Sequence, residues 1–217
     1  MTETNSKKAE VSKQIDAFMS AGKTRFVKWT DPNEPDEKKA KREDKIIVED
    51  PGIEYAMQAI DLTDVGNDEA DWSTLFDLIM KNVLVDPSWT FEELDAALAK
   101  TDRTHAVKMT NSAGEKVDVK MVWPGYRKAV QFVMGTQSPS GALKMSKSLA
   151  DLNEEVLRKE NNTVADMEYW NAGSRGAGLG MKAMTEAMNY MADILNRDGF
   201  LAKVRDALTF LMSTVRG

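Results

Sequence analysis

The chain contains no cysteine, which excludes disulfides, thiolate nucleophiles and cysteine-based zinc sites. The absence fits a cytoplasmic protein. Histidine is almost missing too, His105 being the only one. A lone histidine on a predicted strand, with no carboxylate or nucleophile placed beside it, reads as a surface or structural residue. Positive charge is in deficit: 29 Lys and Arg stand against 35 Asp and Glu, a net charge of −6. Nucleic acids and anionic membranes are bound by clustered positive fields, so neither is an expected partner. No apolar run approaches the ~18–20 residues that span a bilayer. The opening MTETNSKKAE also lacks the apolar centre of a secretion signal.

What the 217 residues do have is an ordinary globular balance, 42% hydrophobic and 29% charged, enough to bury a core in one large domain or two small ones. A first helix is expected within residues 1–22, with Val11, Ile15, Phe18 and Met19 on one face. The strand pattern TRFVKWT follows, then a charged loop over 31–44, a second strand KIIVEDPG, and a helix carrying Ile53, Met57 and Ile60. Residues 104–134 run the same way: THAVKMT, the turn NSAGE, KVDVKMVW, then Pro124–Gly125 and YRKAVQFVM. The first strands share T-x-x-V-K-x-T, matching Thr24, Val27, Lys28 and Thr30 with Thr104, Val107, Lys108 and Thr110. Both second strands stop at Pro–Gly, which turns the chain into an amphipathic helix.

Helical patterns follow each copy. Trp72, Leu75, Phe76, Ile79 and Val83 form one stripe, and Thr90-x-x-Glu93 opens the next helix as a capping box. In the second copy Met145, Leu149, Leu152 and Val156 recur at helical spacing, with a shorter helix around TVADMEYW. The predicted fold is α+β and mostly helical. It comprises a duplicated unit of β-hairpin, Pro–Gly turn and helices over 23–100 and 101–172, a glycine-rich hinge over 173–180, and a C-terminal helical hairpin over 181–217.

The glycine-rich segment tests negative for phosphate chemistry. A Walker loop needs Lys and Ser/Thr directly after its second glycine, and here Leu179 and Gly180 follow Gly178. A dinucleotide fingerprint needs G-x-G-x-x-G after a strand, whereas Gly176, Gly178 and Gly180 follow a helix-like stretch. Gly173, Gly176, Gly178 and Gly180 therefore read as a hinge. DLTDVGNDEADW offers no register with Gly at position 6 and Glu at position 12, so it is not a calcium loop. Glu92, Glu93 and Asp95 suit the positive end of a helix dipole. The lysines of 38–45 are interleaved with acids, as in a solvated face. No catalytic constellation, metal site or cofactor site emerges.

The most distinctive pattern is Met181, Met184, Met188 and Met191 along one helix face. A flexible, polarizable Met face suits a partner-binding groove, although it equally suits packing within its own hairpin. Trp72, Trp89 and Phe91 pose the same choice between core and contact anchor.

The stretch DLIMKNVLVDPSWTFEELDAAL (77–98) joins a helix, an N-V-x-V-D-P phrase and an aromatic–acidic helix start. With the upstream hairpin and Pro51–Gly52, it resembles the tail assembly chaperones of long-tailed bacteriophages over roughly residues 24–100. The resemblance implies a small acidic helical protein of the host cytoplasm. Such a protein coats the tape-measure protein, recruits tail-tube subunits and is absent from the finished virion. In that family a programmed frameshift often yields a long form whose added C-terminal part engages the tube protein. Two copies of the unit depart from the family pattern and keep open a structural protein of the tail or head. A homo-oligomer would suit either reading.

Overall fold

The computed structural model describes residues 24–66, 69–135 and 145–214. The expected helix around Val11, Ile15, Phe18 and Met19 lies outside them, as does Val215. The described chain is α+β and mostly helical, as expected.

Strand β1 (Thr24–Thr30) pairs antiparallel with β2 (Lys41–Val48). The charged segment is less of a loop than its composition implies. A single helical turn, α1 (Glu37–Ala40), is capped by the Asp36 carboxylate, and Lys41–Asp44 already belong to β2. Charges are tolerated there because Lys41, Arg42 and Glu43 are all exposed and the half-buried Asp44 is met by Lys203 and Trp29, while only Ile46 and Val48 further along point inward and are fully buried. Helix α2 (Ile53–Leu62) follows Gly52, then come α3 (Trp72–Asn82) and a short strand β3 (Leu84–Asp86), which adds antiparallel to β2. Helix α4 (Phe91–Ala97) opens with the expected reciprocal capping box between Thr90 and Glu93.

The second unit repeats this path: β4 (Thr104–Thr110), β5 (Lys116–Val122), α5 (Tyr126–Gly135), α6 (Met145–Glu155) and β6 (Leu157–Arg158). Each unit holds one three-stranded sheet, with strand orders β1-β2-β3 and β4-β5-β6. From the second strand onward the copies are displaced by a constant 73 positions: α2 at 53–62 becomes α5 at 126–135, and α3 at 72–82 becomes α6 at 145–155. The pairing Val48–Leu84 becomes Met121–Leu157. The hydrogen bond from Glu49 N–H to Val83 O becomes that from Val122 N–H to Val156 O. Gly52 and Gly125 both take positive φ, 97° and 94°, which favours glycine after each proline.

The first strands correct the sequence alignment. Val27 pairs with Asp44 and Met109 pairs with Val117, and 117 is 44 displaced by 73, so the counterpart of Val27 is Met109. Both are buried, whereas Val107 is only partly so. The T-x-x-V-K-x-T match is thus offset by two residues. A two-residue slip keeps every side chain on its own face, which is why the pattern still fits. Where a third helix was expected around TVADMEYW, a 3₁₀ turn (Met167–Trp170) replaces the twin of α4.

Helices α7 (Gly180–Leu195) and α8 (Phe200–Thr214) do not stand apart as the sequence pattern implied. Helix α7 packs on α5 and α6, and α8 packs on β1, β2, α2 and α3. One continuous buried cluster runs through both units and this hairpin, including Ile46, Phe76, Val119, Leu152, Met191 and Val204. Each sheet-and-helix unit is completed by one helix of the C-terminal pair.

Candidate protein-contact faces

The residues flagged as partner anchors are mostly inside. Met191 and Met184 are buried, Met188 is partly buried against the core, and Met181 alone is exposed. Phe91 is buried, Trp89 stands 5.5 Å from the Phe200 ring, and the half-buried Trp72 packs near Gly135. Apart from Met181 these side chains pack into the core, so of the two roles the Met spacing allows, packing is the one most of the stripe takes.

The glycine segment is a close-packed corner where a hinge was expected. The N–H groups of Ala177, Gly178 and Leu179 donate to the carbonyls of Ser174, Trp170 and Gly176, leaving these amides no free donor for a phosphate. Ser112 N–H donates to Ala177 O at 3.0 Å, and Asn111 Nδ2 donates to Arg175 O at 3.0 Å, fastening the segment to the β4–β5 turn. Arg175 is paired with Glu160 at 3.0 Å. A Cβ at Gly176 would lie 2.6 Å from the Tyr169 ring and carbonyl, so glycine serves close approach here. Gly180 is buried against Leu149 and Trp170.

His105 is exposed and stacks on Tyr190 at 5.5 Å, beside a cleft also lined by Asp102, Glu186, Asp193 and Arg197. Arg197 pairs with Asp102, and the Tyr190 hydroxyl donates to Asp102 O at 2.7 Å. Burial, with Asp102 nearby, pushes the Tyr190 phenol up to about 12. Thr101 and Thr104 bring hydroxyls to the same cleft. No cluster of potential metal ligands occurs among the described residues. No described helix is long and apolar enough to cross a membrane.

Asp95, read from sequence only as a dipole partner, has a specific role. Its carboxylate accepts from Trp123 Nε1 at 2.9 Å and from Tyr126 N–H at 3.1 Å, capping α5 from the first unit. The partner lies 31 positions away, so no local pattern announces it.

An exposed apolar row lies on α2, while Phe26, Val65, Val85 and Met181 are exposed elsewhere. Helix α2 turns Ala56 and Ala59 inward, both fully buried, and leaves Ile53, Met57 and Ile60 61%, 59% and 45% exposed in a row. Their counterparts in α5 are Tyr126 at 7%, Val130 at 0% and the partly buried Val133. Around the α2 row lie the exposed acids Asp50, Glu54, Asp61 and Asp64. A second exposed pair, Val164 and Met167, sits after β6, each 45% exposed. Comparison with known proteins finds no matching family model, no similar curated protein and no similar solved structure. The surface itself therefore carries the functional argument.

Proposed function

We propose that this chain is a non-enzymatic assembly protein that works by binding other proteins, of the kind represented by the tail assembly chaperones of long-tailed bacteriophages. Its clients in that reading are the tape-measure protein and tail-tube subunits. It acts in the host cytoplasm and leaves before the virion is complete. The observation that carries the reading is the Ile53–Met57–Ile60 row. Three large apolar side chains at helical spacing stand in water on one helix, while the same face of the duplicate helix is covered by other helices. Exposed apolar rows rimmed by polar residues mark protein contacts, and a helical client is the natural complement to such a row.

The tandem repeat favours a second reading, a structural protein of the tail or head in which the duplicated units supply repeated contacts. Mass spectrometry of purified virions separates the two. The chaperone reading expects this chain's peptides to be absent from mature particles and the tape-measure protein to co-purify with it from infected cells. Abundant peptides in mature particles would overturn it in favour of the structural reading.

A further inference from the structure

The two units meet along a seam in which α3 and α4 of the first lie against α5 of the second. Phe91 sits 4.7 Å beneath the Arg127 guanidinium, and Arg127 pairs with Asp77 at 3.3 Å. Gln131 straps across, its Nε2 donating to Ala70 O at 3.0 Å and its Oε1 accepting from Ser73 N–H at 3.2 Å. Asp95 caps Tyr126 from the other side.

Displaced by 73 positions, most of these seam residues find their twins on an open surface, while the twin of Ala70 lies outside the described residues. On the α5 side, Tyr126, Val130 and Val133 become Ile53, Met57 and Ile60, the exposed row of α2. Gln131 becomes Gln58, also exposed, and α2 has no side-chain cap at its start. On the opposite side, Phe91 and Leu94 become Val164 and Met167, the exposed pair after β6. Ser73 becomes Ser146, and Asp95 becomes Glu168, both exposed. One half of a seam is therefore open at the α2 end of the molecule, and the complementary half is open at the β6 end.

We infer that a second copy of this chain fills the α2 face, its β6–α6 end repeating the internal seam so that copies join head to tail. Met57 and its neighbours receive Val164 and Met167, Gln58 takes the place of Gln131 against Ser146, and Glu168 caps α2 as Asp95 caps α5. The Arg127–Asp77 pair is not reproduced, since its twins are Glu54 and Ala150. The joint between copies is accordingly weaker than the seam and reversible. A contact between two different patches does not close on itself after two copies, and it continues into a ring or an open array. The inference rests on reading the apolar ends as protein-contact surfaces, and it does not depend on who the client is.

Sedimentation velocity of the purified chain, from about 1 µM to about 1 mM, tests it. The wild type should grow steadily past the dimer as concentration rises. Met57→Glu and Val164→Glu, both at exposed positions and checked for unchanged circular dichroism, should each be monomeric throughout. Mixed in equal amounts they should form a one-to-one complex and nothing larger, because one intact head meets one intact tail. A monomeric wild type, assembly by either variant alone, or a mixture that stays monomeric would each overturn the joint. The client reading fails separately. If the wild type stays monomeric yet Met57→Glu loses tape-measure capture, only the self-joint falls. If arrays form and no tape-measure protein is ever captured, only the chaperone reading falls.

Discussion

Helices α2 and α5 occupy the same place in two copies of one fold, begin after the same Pro–Gly turn and have the same length. One is a surface helix and the other a core helix. The backbone plan does not decide which; the neighbours do. Helix α5 lies between α4, α3 and α7, whereas α2 has α3 and α8 on its alanine side and open solvent on the other. Substitutions have followed these surroundings: Ile53, Met57 and Glu54 on the open helix stand where Tyr126, Val130 and Arg127 serve the seam. Duplication has given a molecule in which an interface appears once complete within the chain and once as two open halves.

The largest expected break in this comparison comes from the same change at matched positions. Val130→Glu puts an unpaired carboxylate into a fully buried site and should cost about 3–5 kcal/mol, read by urea denaturation. Met57→Glu, its twin, should stay within about 0.5 kcal/mol of wild type. Equal losses would mean that α2 is as enclosed as α5. Next in size is the corner found only in the second unit. Gly176→Ala forces a methyl group against Tyr169 and should destabilise by about 1–3 kcal/mol. A neutral result in thermal unfolding would restore the segment as a loose hinge.

A smaller effect separates the two caps. Asp95→Ala removes the acceptor for Trp123 Nε1 and Tyr126 N–H and should cost about 1–2 kcal/mol, while Glu168→Ala in the free chain should leave stability unchanged. The last difference is read at high pH. Burial pushes Tyr126 up to about 12 from an unfolded value near 10, and Tyr190 behaves alike. The unfolded chain then ionises first, so stability is full below pH 10 and declines as pH rises towards 12. Tyr126→Phe with Tyr190→Phe should flatten that decline in a pH series of melting temperatures. A similar change at Ile53, which carries no proton to lose, should not.

Much of the architecture was legible because the punctuation is local. Pro51–Gly52 and Pro124–Gly125 mark the strand ends, and Thr90 with Glu93 marks a helix start, each through chemistry within a few residues. The first-strand alignment slipped by two because strand patterns repeat every two residues and the burial of Val27 and Met109 is set by partners elsewhere. The short strands β3 and β6 have no sequence signal, since two or three residues after a helical stripe carry no period of their own. The candidate site was largely illegible. Met184 and Met191 have the spacing of a binding face and of a core face alike, and only the position of α5 and α6 decides between them. Ile53, Met57 and Ile60 share that helical spacing, which does not tell a covered face from an open one. The sequence from Gly173 to Gly180 lacks a Walker loop's Lys and Ser/Thr, with Leu179 and Gly180 in those places. It could not reveal that Tyr169 fills the space a side chain would take.

The docking of α8 onto the first sheet sets an order of events. Arg25 on β1 is bound through its guanidinium to Asp206 on α8, the Nη2 contact measuring 3.1 Å across 181 positions of chain. Lys203 on the same helix reaches Asp44 of β2 at 2.8 Å. A nascent chain exposes β1 and β2 early, but their covering helix is translated after the whole second unit. The second unit, by contrast, has its own covering helix α7 close behind it. The first unit to be synthesised is thus the last to be closed, and contacts this distant in sequence are slow to form. During that interval β1 and β2 lack the partners that α8 brings, Asp206 for Arg25 and Lys203 for Asp44.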